Sequence, residues 1–423
     1  MSMSEYRLAR ELGNPLARGF QIYKTTQLWH SLVPMKRSGA TAGEEEEVPS
    51  VFAQDYHRAG VNALDIERQQ GRYLLSGGAE GNVSVWDLEQ LLPSDTSPLE
   101  PTATVASAHK FGVSTVLYYP SDAGLFVTGS YDKSVAVWDA TEMEIAFTFD
   151  LDASVRSTAM APRAHHALVA VASDSPAVRL LDLNTGAATH SLVGHTGGGG
   201  TFAVSWSPRD EFLLASGGMN GTARLWDIRM AASCLASLDM NNSGRPRLDV
   251  RNRAHEVSKI VLSGAVNGVT WSEDGAYLVT LGHDDKLRVW DLATGQNTLA
   301  TFEPVIRNRR PHNSNPVLTC LRHSDPQIVF VPCASEIIGF HMAEGNVIVK
   351  QRATQQPHRV SAMVHRPHTA ELYYGSTSGK INLLAPSLAA SPEDGQDETK
   401  EGAETSVLDA IYKSLVQNPI TYT

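Results

Sequence analysis

The sequence predicts an all-β fold, a seven-bladed β-propeller, on three observations. Four segments align without gaps on a Trp-Asp pair near their ends: "GRYLLSGGAEGNVSVWDL" from Gly71, "AGLFVTGSYDKSVAVWDA" from Ala123, "DEFLLASGGMNGTARLWDI" from Asp210 and "GAYLVTLGHDDKLRVWDL" from Gly275. Three more, "HHALVAVASDSPAVRLLDL" from His165, "DPQIVFVPCASEIIGFHM" from Asp325 and "AELYYGSTSGKINLLAPS" from Ala370, keep the strand, turn, strand pattern without that pair. The equivalent final positions, Asp87, Asp139, Asp182, Asp227, Asp291, His341 and Ala385, recur at spacings mostly in the forties to low fifties, with one of 64. That interval suits a four-stranded unit of about 40–45 residues plus loops. Seven such units close into a ring that leaves only short, protected edges.

Taken in chain order, residues 1–33 predict a helical segment. Asn14 is a candidate N-cap and Pro15 sits at the first helical position, where its missing N–H costs nothing. Leu16, Phe20 and Tyr23 follow at helical spacing, with Leu28, Trp29 and Leu32 further on, and a shorter helix from Tyr6 to Leu12 stops at Gly13. The strand pattern begins only near Asn62, so this helix–turn–helix is not required to close the ring. Its apolar faces either pack beneath the propeller or dock on another protein. Residues 34–55 read as a linker containing the acidic run Glu44 to Glu47, and residues 56–388 as the propeller.

Within the propeller each copy opens with an apolar, β-branched half, turns on Gly, Ser, Asn or Asp, and closes with an alternating half such as Val83, Val85 or Leu287, Val289. A histidine precedes several copies: His109, His195, His255 and His358. The 64-residue interval reflects a long connection, residues 240–264, bearing Arg245, Arg247, Arg251, Arg253 and Lys259. It reads as a solvated insertion or as a surface for an acidic partner. Residues 389–423 form an acidic tail, expected to be mostly disordered over 392–404. The following "SVLDAIYKSLV" has helical spacing at Val407, Ile411 and Leu415, which fits folding on a partner or packing back.

The formal charge of −11 is largely local: Glu44 to Glu47 contributes −4 and residues 391–404 contribute −5, leaving about −2 for the body. The basic footprint of a nucleic-acid binder is absent, so direct nucleic-acid binding is not expected. Cys234, Cys320 and Cys333 show no CxxC spacing and imply neither a disulfide framework nor a zinc site. No signal peptide is evident, and no apolar run approaches the roughly 18 residues needed to span a bilayer, so an intracellular chain without membrane partners is expected.

Catalytic chemistry is equally absent. The Gly-rich stretch 194–202 lacks a following Lys-Ser/Thr and leads into a strand, so it is a blade connection and not a phosphate loop. His358, His365 and His368 have no metal-ligand spacing, and there is no GxSxG elbow or identifiable carboxylate pair. No cofactor or metal is expected, and the chain reads as a non-catalytic binding protein.

The array resembles the WD-repeat family. In that family the blade histidine, a strand hydroxyl, the turn aspartate and the strand tryptophan hydrogen-bond as a buried tetrad, and His109, Asp132 and Trp138 match it in the second blade. Asn220 replaces the turn aspartate in the fourth blade, which weakens any tetrad there. The match is closer still to the Cockayne syndrome group A family. "GVNALDIERQQGRYLLSGGAEGNVSVWDLE", "AVSWSPRDEFLLASGGMNGTARLWDIR", "DGAYLVTLGHDDKLRVWDLATGQNTL" and "IVFVPCASEI" carry it, from about Pro15 to about Pro386.

That resemblance implies a substrate receptor of a cullin-RING ubiquitin ligase acting in transcription-coupled nucleotide excision repair, and hence nuclear placement. The sequence itself offers only the weak basic cluster "IRNRRPH" at 306–312 for localisation. The implied partner is a triple-propeller, damaged-DNA-binding adaptor, with cullin and RING subunit held indirectly. Repair factors or stalled RNA polymerase would be engaged elsewhere. Leu12, Leu16, Phe20 and Tyr23 occupy the matching docking segment, and Trp226, Asp227 and Arg229 match the Trp-Asp-x-Arg box of such receptors. The alternative is a general propeller scaffold for signalling or chromatin complexes.

Overall fold

The computed structural model describes residues 28–29, 31–35, 51–53, 56–91, 98–195, 199–230, 234–238, 264–303, 306–308, 314–319, 327–354, 357–366 and 369–386. The chain divides into a unit Met1–Ser387 and a second unit, Leu388–Thr423, that lies outside the described residues. The first is an all-β, seven-bladed propeller of seven four-stranded antiparallel sheets.

The innermost strands are Val61–Ile66, Val113–Tyr118, Val155–Met160, Thr201–Trp206, Val266–Trp271, Val317–Leu318 and Val360–His365. The third strands are Val83–Asp87, Ser134–Asp139, Ala177–Asp182, Ala223–Asp227, Leu287–Asp291, Glu336–His341 and Ile381–Pro386. Six of the seven end on the position the repeat predicts, and the seventh runs one residue beyond Ala385.

The core lies between blades. Seven apolar clusters each join two neighbouring blades, and the set runs once round the ring, including the joint between blades 7 and 1. Trp86, Trp138, Trp226 and Trp290, one on each Trp-Asp strand, are fully buried in these seams. Close approach requires small residues at one register position. A Cβ on Gly77, Gly129, Gly217 or Gly375 would lie 2.7 Å from a valine methyl of the next inner strand, in Val113, Val155, Val266 and Val61 respectively. The last pair closes blade 7 on blade 1 with the spacing found elsewhere in the ring.

The N-terminal segment, which the sequence did not require for closing the ring, does contribute to it. Leu32–Pro34 is the outermost strand of blade 7, antiparallel to Ile381–Pro386 with Leu32 opposite Pro386. Trp29, with helical backbone, and Leu32 are buried among Ile328, Phe330, Leu372 and Leu384. Their apolar side chains therefore serve the propeller core, not the exposed face of a docking helix. The expected linker also contributes: Phe52 stacks edge-on against Trp86 and Tyr373, at centroid distances of 5.3 and 6.1 Å. The expected N-terminal helices and the acidic tail otherwise lie outside the described residues, as does the basic connection 240–264 apart from Gly264.

Trp29→Ala is expected to destabilise the propeller by about 3–5 kcal/mol in denaturant unfolding, as for other buried Trp truncations. The Trp29 indole N–H is buried without a partner among the described residues. Trp29→Phe, which keeps a ring and removes that orphan donor, should cost clearly less.

Candidate functional site

Polar side chains buried along the blades hold the turns in place. In blade 2, His109 Nε2 meets Thr128 Oγ1 at 2.7 Å and Nδ1 meets Asp132 Oδ2 at 3.1 Å, while Trp138 Nε1 donates to Thr128 Oγ1 at 2.8 Å. This is the tetrad expected for His109, Asp132 and Trp138.

Blade 4 makes the same connections with Asn220 in place of the aspartate. Trp226 Nε1 donates to Ser216 Oγ (2.7 Å), His195 bridges Ser216 (2.6 Å) and Thr222 (2.8 Å), and the Thr222 hydroxyl donates to Asn220 (2.7 Å). Thr222 stands where Ser134 stands in blade 2, whose hydroxyl likewise meets His109 Nδ1 (3.0 Å) and donates to Asp132 (2.5 Å), so Asn220 substitutes for the aspartate as acceptor and both ring nitrogens of His195 remain engaged. Blade 1 holds a unit not anticipated from sequence, with His57 Nε2 and Trp86 Nε1 both on Ser76 Oγ at 2.7 and 2.8 Å. His358, expected to open blade 7, is exposed, and His255 lies outside the described residues.

Strand alternation gives the propeller two chemically distinct ends. First and third strands run parallel, so every strand-ending Asp lies at one end, here the underside, together with the connections between first and second strands. Five of these aspartates accept a hydrogen bond from the backbone N–H two residues on: Glu89, Thr141, Asn184, Arg229 and Ala293, at 2.8–3.1 Å. Such turns are local structure and do not distinguish one blade from another.

Blade 4 differs in what the next side chain does. Arg229 folds back so that Nε meets Asp227 Oδ1 at 3.0 Å and Nη2 meets Oδ2 at 2.8 Å, a bidentate pair. Its guanidinium carbon stands 4.7 Å from the centroid of the Phe212 ring, and Asp210 is 4.0 Å away. The Arg229 side chain nonetheless remains 55% exposed. The pair holds the Asp227 carboxyl below its ordinary range, chiefly through the Arg229 hydrogen bond, and raises the Arg229 guanidinium for the same reason. Arg229 is thus a preoriented, half-free fork, with Nη1 pointing to no protein acceptor among the described residues.

The Trp-Asp-x-Arg positions therefore separate in role. Trp226 is fully buried and bonded to Ser216, so it fixes the blade and offers nothing to a partner. Asp227 orients Arg229, and Arg229 alone presents its charge outward. Phe212 and Asp210, fifteen or more residues upstream, complete the setting through strand register, Leu213 lying opposite Asp227. No local spacing signals their part. Leu12, Leu16, Phe20 and Tyr23 lie outside the described residues. Leu32, opposite Pro386 at the end of a third strand, starts at the underside, so the chain preceding it leaves from the same end of the propeller as Arg229. Among the described residues no cluster of His, Cys, Asp and Glu is arranged to hold a metal.

Comparison with known proteins matches the WD domain, G-beta repeat family to residues 50–87, 100–139, 186–227 and 256–291, the four blades that end in Trp-Asp. The chain is 30% identical to the WD repeat-containing protein ATCSA-1 of Arabidopsis thaliana, over 82% of this chain and 89% of that protein. It is 28% identical to radiation-sensitive protein 28 of Saccharomyces cerevisiae, over 44% of this chain and 38% of that one. It is 26% identical to the ribosome biogenesis protein YTM1 of Podospora anserina, over 55% and 54%.

Burial sets the pH response of the polar frame. It pushes His57 down to about 4 and His195 to about 3, the latter aided by the Arg224 charge, and lowers His109 as well. The stability these neutral imidazoles carry is complete above about pH 6.5 and is lost as the unfolded chain takes up protons on acidification. Asp65, raised by burial to about 6, acts oppositely, its contribution being lost as pH rises through that value. With the histidines outnumbering it, unfolding free energy should fall by about 2–5 kcal/mol between pH 7 and pH 4. Asp65→Asn should steepen that fall; urea unfolding across the range checks both.

Proposed function

Because the chain belongs to the WD-repeat proteins, in the family of ATCSA-1, we propose that it is a substrate-recognition subunit of a cullin-RING E3 ubiquitin ligase acting in transcription-coupled nucleotide excision repair. In this reading it docks on the triple-propeller, damaged-DNA-binding adaptor through its N-terminal segment and the underside of its propeller. Cullin and RING subunit join through the adaptor, and the assembly works in the nucleus. The observation that carries the reading is the coincidence at one end of the ring. Arg229 presents a held guanidinium there, and the segment preceding Leu32 leaves from there.

A bidentate clamp fixes the side chain before any partner arrives, so little rotamer freedom is lost on binding. The remaining N–H donors then meet a carboxylate or carbonyl of the adaptor. Likeness to YTM1, spanning about half of each chain, is consistent with shared blades in a different assembly. The scaffold alternative predicts no adaptor dependence at all.

Arg229→Ala should weaken adaptor binding roughly five- to thirty-fold at fixed salt without moving the melting temperature, and Arg229→Lys should recover only part of it. Isothermal titration with the purified adaptor measures this, and unchanged affinity in folded Arg229→Ala would remove the residue from the interface. Removing residues 1–27, which leaves Trp29 and Leu32 in the core, should abolish the complex while the propeller stays folded. Ubiquitin transfer in a reconstituted assay should require adaptor, cullin, RING subunit and charging enzymes together, the propeller supplying none of the chemistry.

A further inference from the structure

The end of the propeller opposite Arg229 carries the turns between second and third strands and the crossings from blade to blade. Across blades 7, 1 and 2 these form one hydrogen-bonded rim. Arg359 N–H donates to Thr377 Oγ1 at 3.0 Å, Thr377 packs on Gly60, and Ala79 N–H donates to Gly60 O at 2.8 Å. His109 N–H reaches Gly81 O and Tyr131 N–H reaches Gly112 O, both at 3.2 Å. Arg359, Arg58, Lys110 and Lys133 are exposed along this rim. Phe111 stands among them, 63% exposed, the large apolar side chain that the crossing into blade 2 leaves to solvent.

Two acids on the same rim, Glu80 and Asp132, are turned inward, while Asp150, opposite Ser134, and Asp152 are exposed at and just past the end of the outermost strand of blade 2. Glu80 accepts from the Arg58 N–H (3.2 Å) and from Asn82 (2.9 Å). Asp132, its side chain 9% exposed, accepts from the Lys110 N–H (3.0 Å) and meets His109. Asp152, further round, is already paired with Arg179 at 2.6 Å. None of the four rim cations makes an ion pair among the described residues. At the underside the pattern reverses, with Arg72 on Asp87, Arg229 on Asp227 and Arg366 on Glu371 at 2.7–2.9 Å. The four cations without ion pairs thus form an arc around one exposed phenyl ring, with exposed Asp150 and Asp152 at its blade 2 end.

We propose that the arc of Arg359, Arg58, Lys110, Phe111 and Lys133 binds an acidic peptide segment that carries an apolar side chain. Unpaired cations steer and register an acidic strand, and the phenyl ring supplies the desolvated anchor from which most binding energy in such contacts comes. A single-stranded nucleic acid fits less well, since successive bases need a series of stacking platforms and this arc exposes one ring. The site lies on the face away from Arg229 and stands independently of the adaptor reading.

The test uses the full chain and a fluorescein-labelled short peptide of alternating Glu and Asp around a single Leu, followed by anisotropy at physiological salt. Saturable binding is expected, weakened about tenfold or more by Lys110→Glu combined with Lys133→Glu. Phe111→Ser should weaken the Leu probe about five-fold and leave a probe with Ala in place of Leu nearly unaffected. Melting temperature and adaptor affinity should stay unchanged in both variants, which separates this site from the docking face. Absence of saturable binding to the wild-type chain, or affinity that neither variant alters, overturns the proposal. So does tighter binding of a single-stranded oligonucleotide that Phe111→Ser does not affect.

Discussion

Everything else in the molecule depends on closing the ring, and a three-residue strand supplies the closing edge. Leu32–Pro34 pairs with Ile381–Pro386 to complete blade 7, joining segments some 350 residues apart in sequence. Blades stack on both neighbours, so an open array would leave two apolar seams exposed. Closure instead gives every blade two partners, as the seven inter-blade clusters attest. Such a non-local pairing carries a loop-closure cost that grows only slowly with length, and Trp29 and Leu32 offset it by burying apolar surface between blades 6 and 7.

Closure also decides where the chain's N-terminal segment leaves the body, which ties architecture to function. Because the closing strand starts at Leu32 opposite Pro386, that segment departs from the end carrying the strand-terminal aspartates. The two ends of the propeller then acquire different electrostatics. At the underside, Arg72, Arg229 and Arg366 are clamped by carboxylates and held in fixed poses; the opposite end has clamped pairs too, such as Arg156 with Asp174, but Arg58, Lys110, Lys133 and Arg359 make no ion pair there among the described residues. One face suits geometrically demanding recognition of a preformed surface, and the other suits adaptable recognition of an extended acidic segment.

The sequence made the blades legible because each repeats strong local signals: alternation, a glycine-bearing turn and, in four cases, Trp-Asp. Even blades 3, 6 and 7, without that pair, ended where or within one residue of where the repeat placed them. The closing strand was hidden, since Leu32, Val33 and Pro34 are too few to show a period and follow residues that fit helical spacing. His57 escaped notice because Glu80, not Asp, occupies its turn, while in blade 4 the Asn220 amide oxygen accepts from Thr222 as Asp132 accepts from Ser134, so the expected weakening does not appear in the hydrogen bonds. At the end of the blade 4 strand the motif singled out Arg229 but could not show that Asp227 clamps it or that Phe212 lies beneath it. The Phe212 contact comes from register across strands, which local sequence does not encode.

Hydrogen exchange of the full chain, alone and with the purified adaptor, would locate the docking face. Slowed exchange on complex formation is expected at residues 28–29, 31–33, 208–213 and 227–230, and unchanged exchange in the turns at 79–82 and 131–134. Protection confined to those turns, with residues 208–213 and 227–230 unaffected, would contradict docking at the underside.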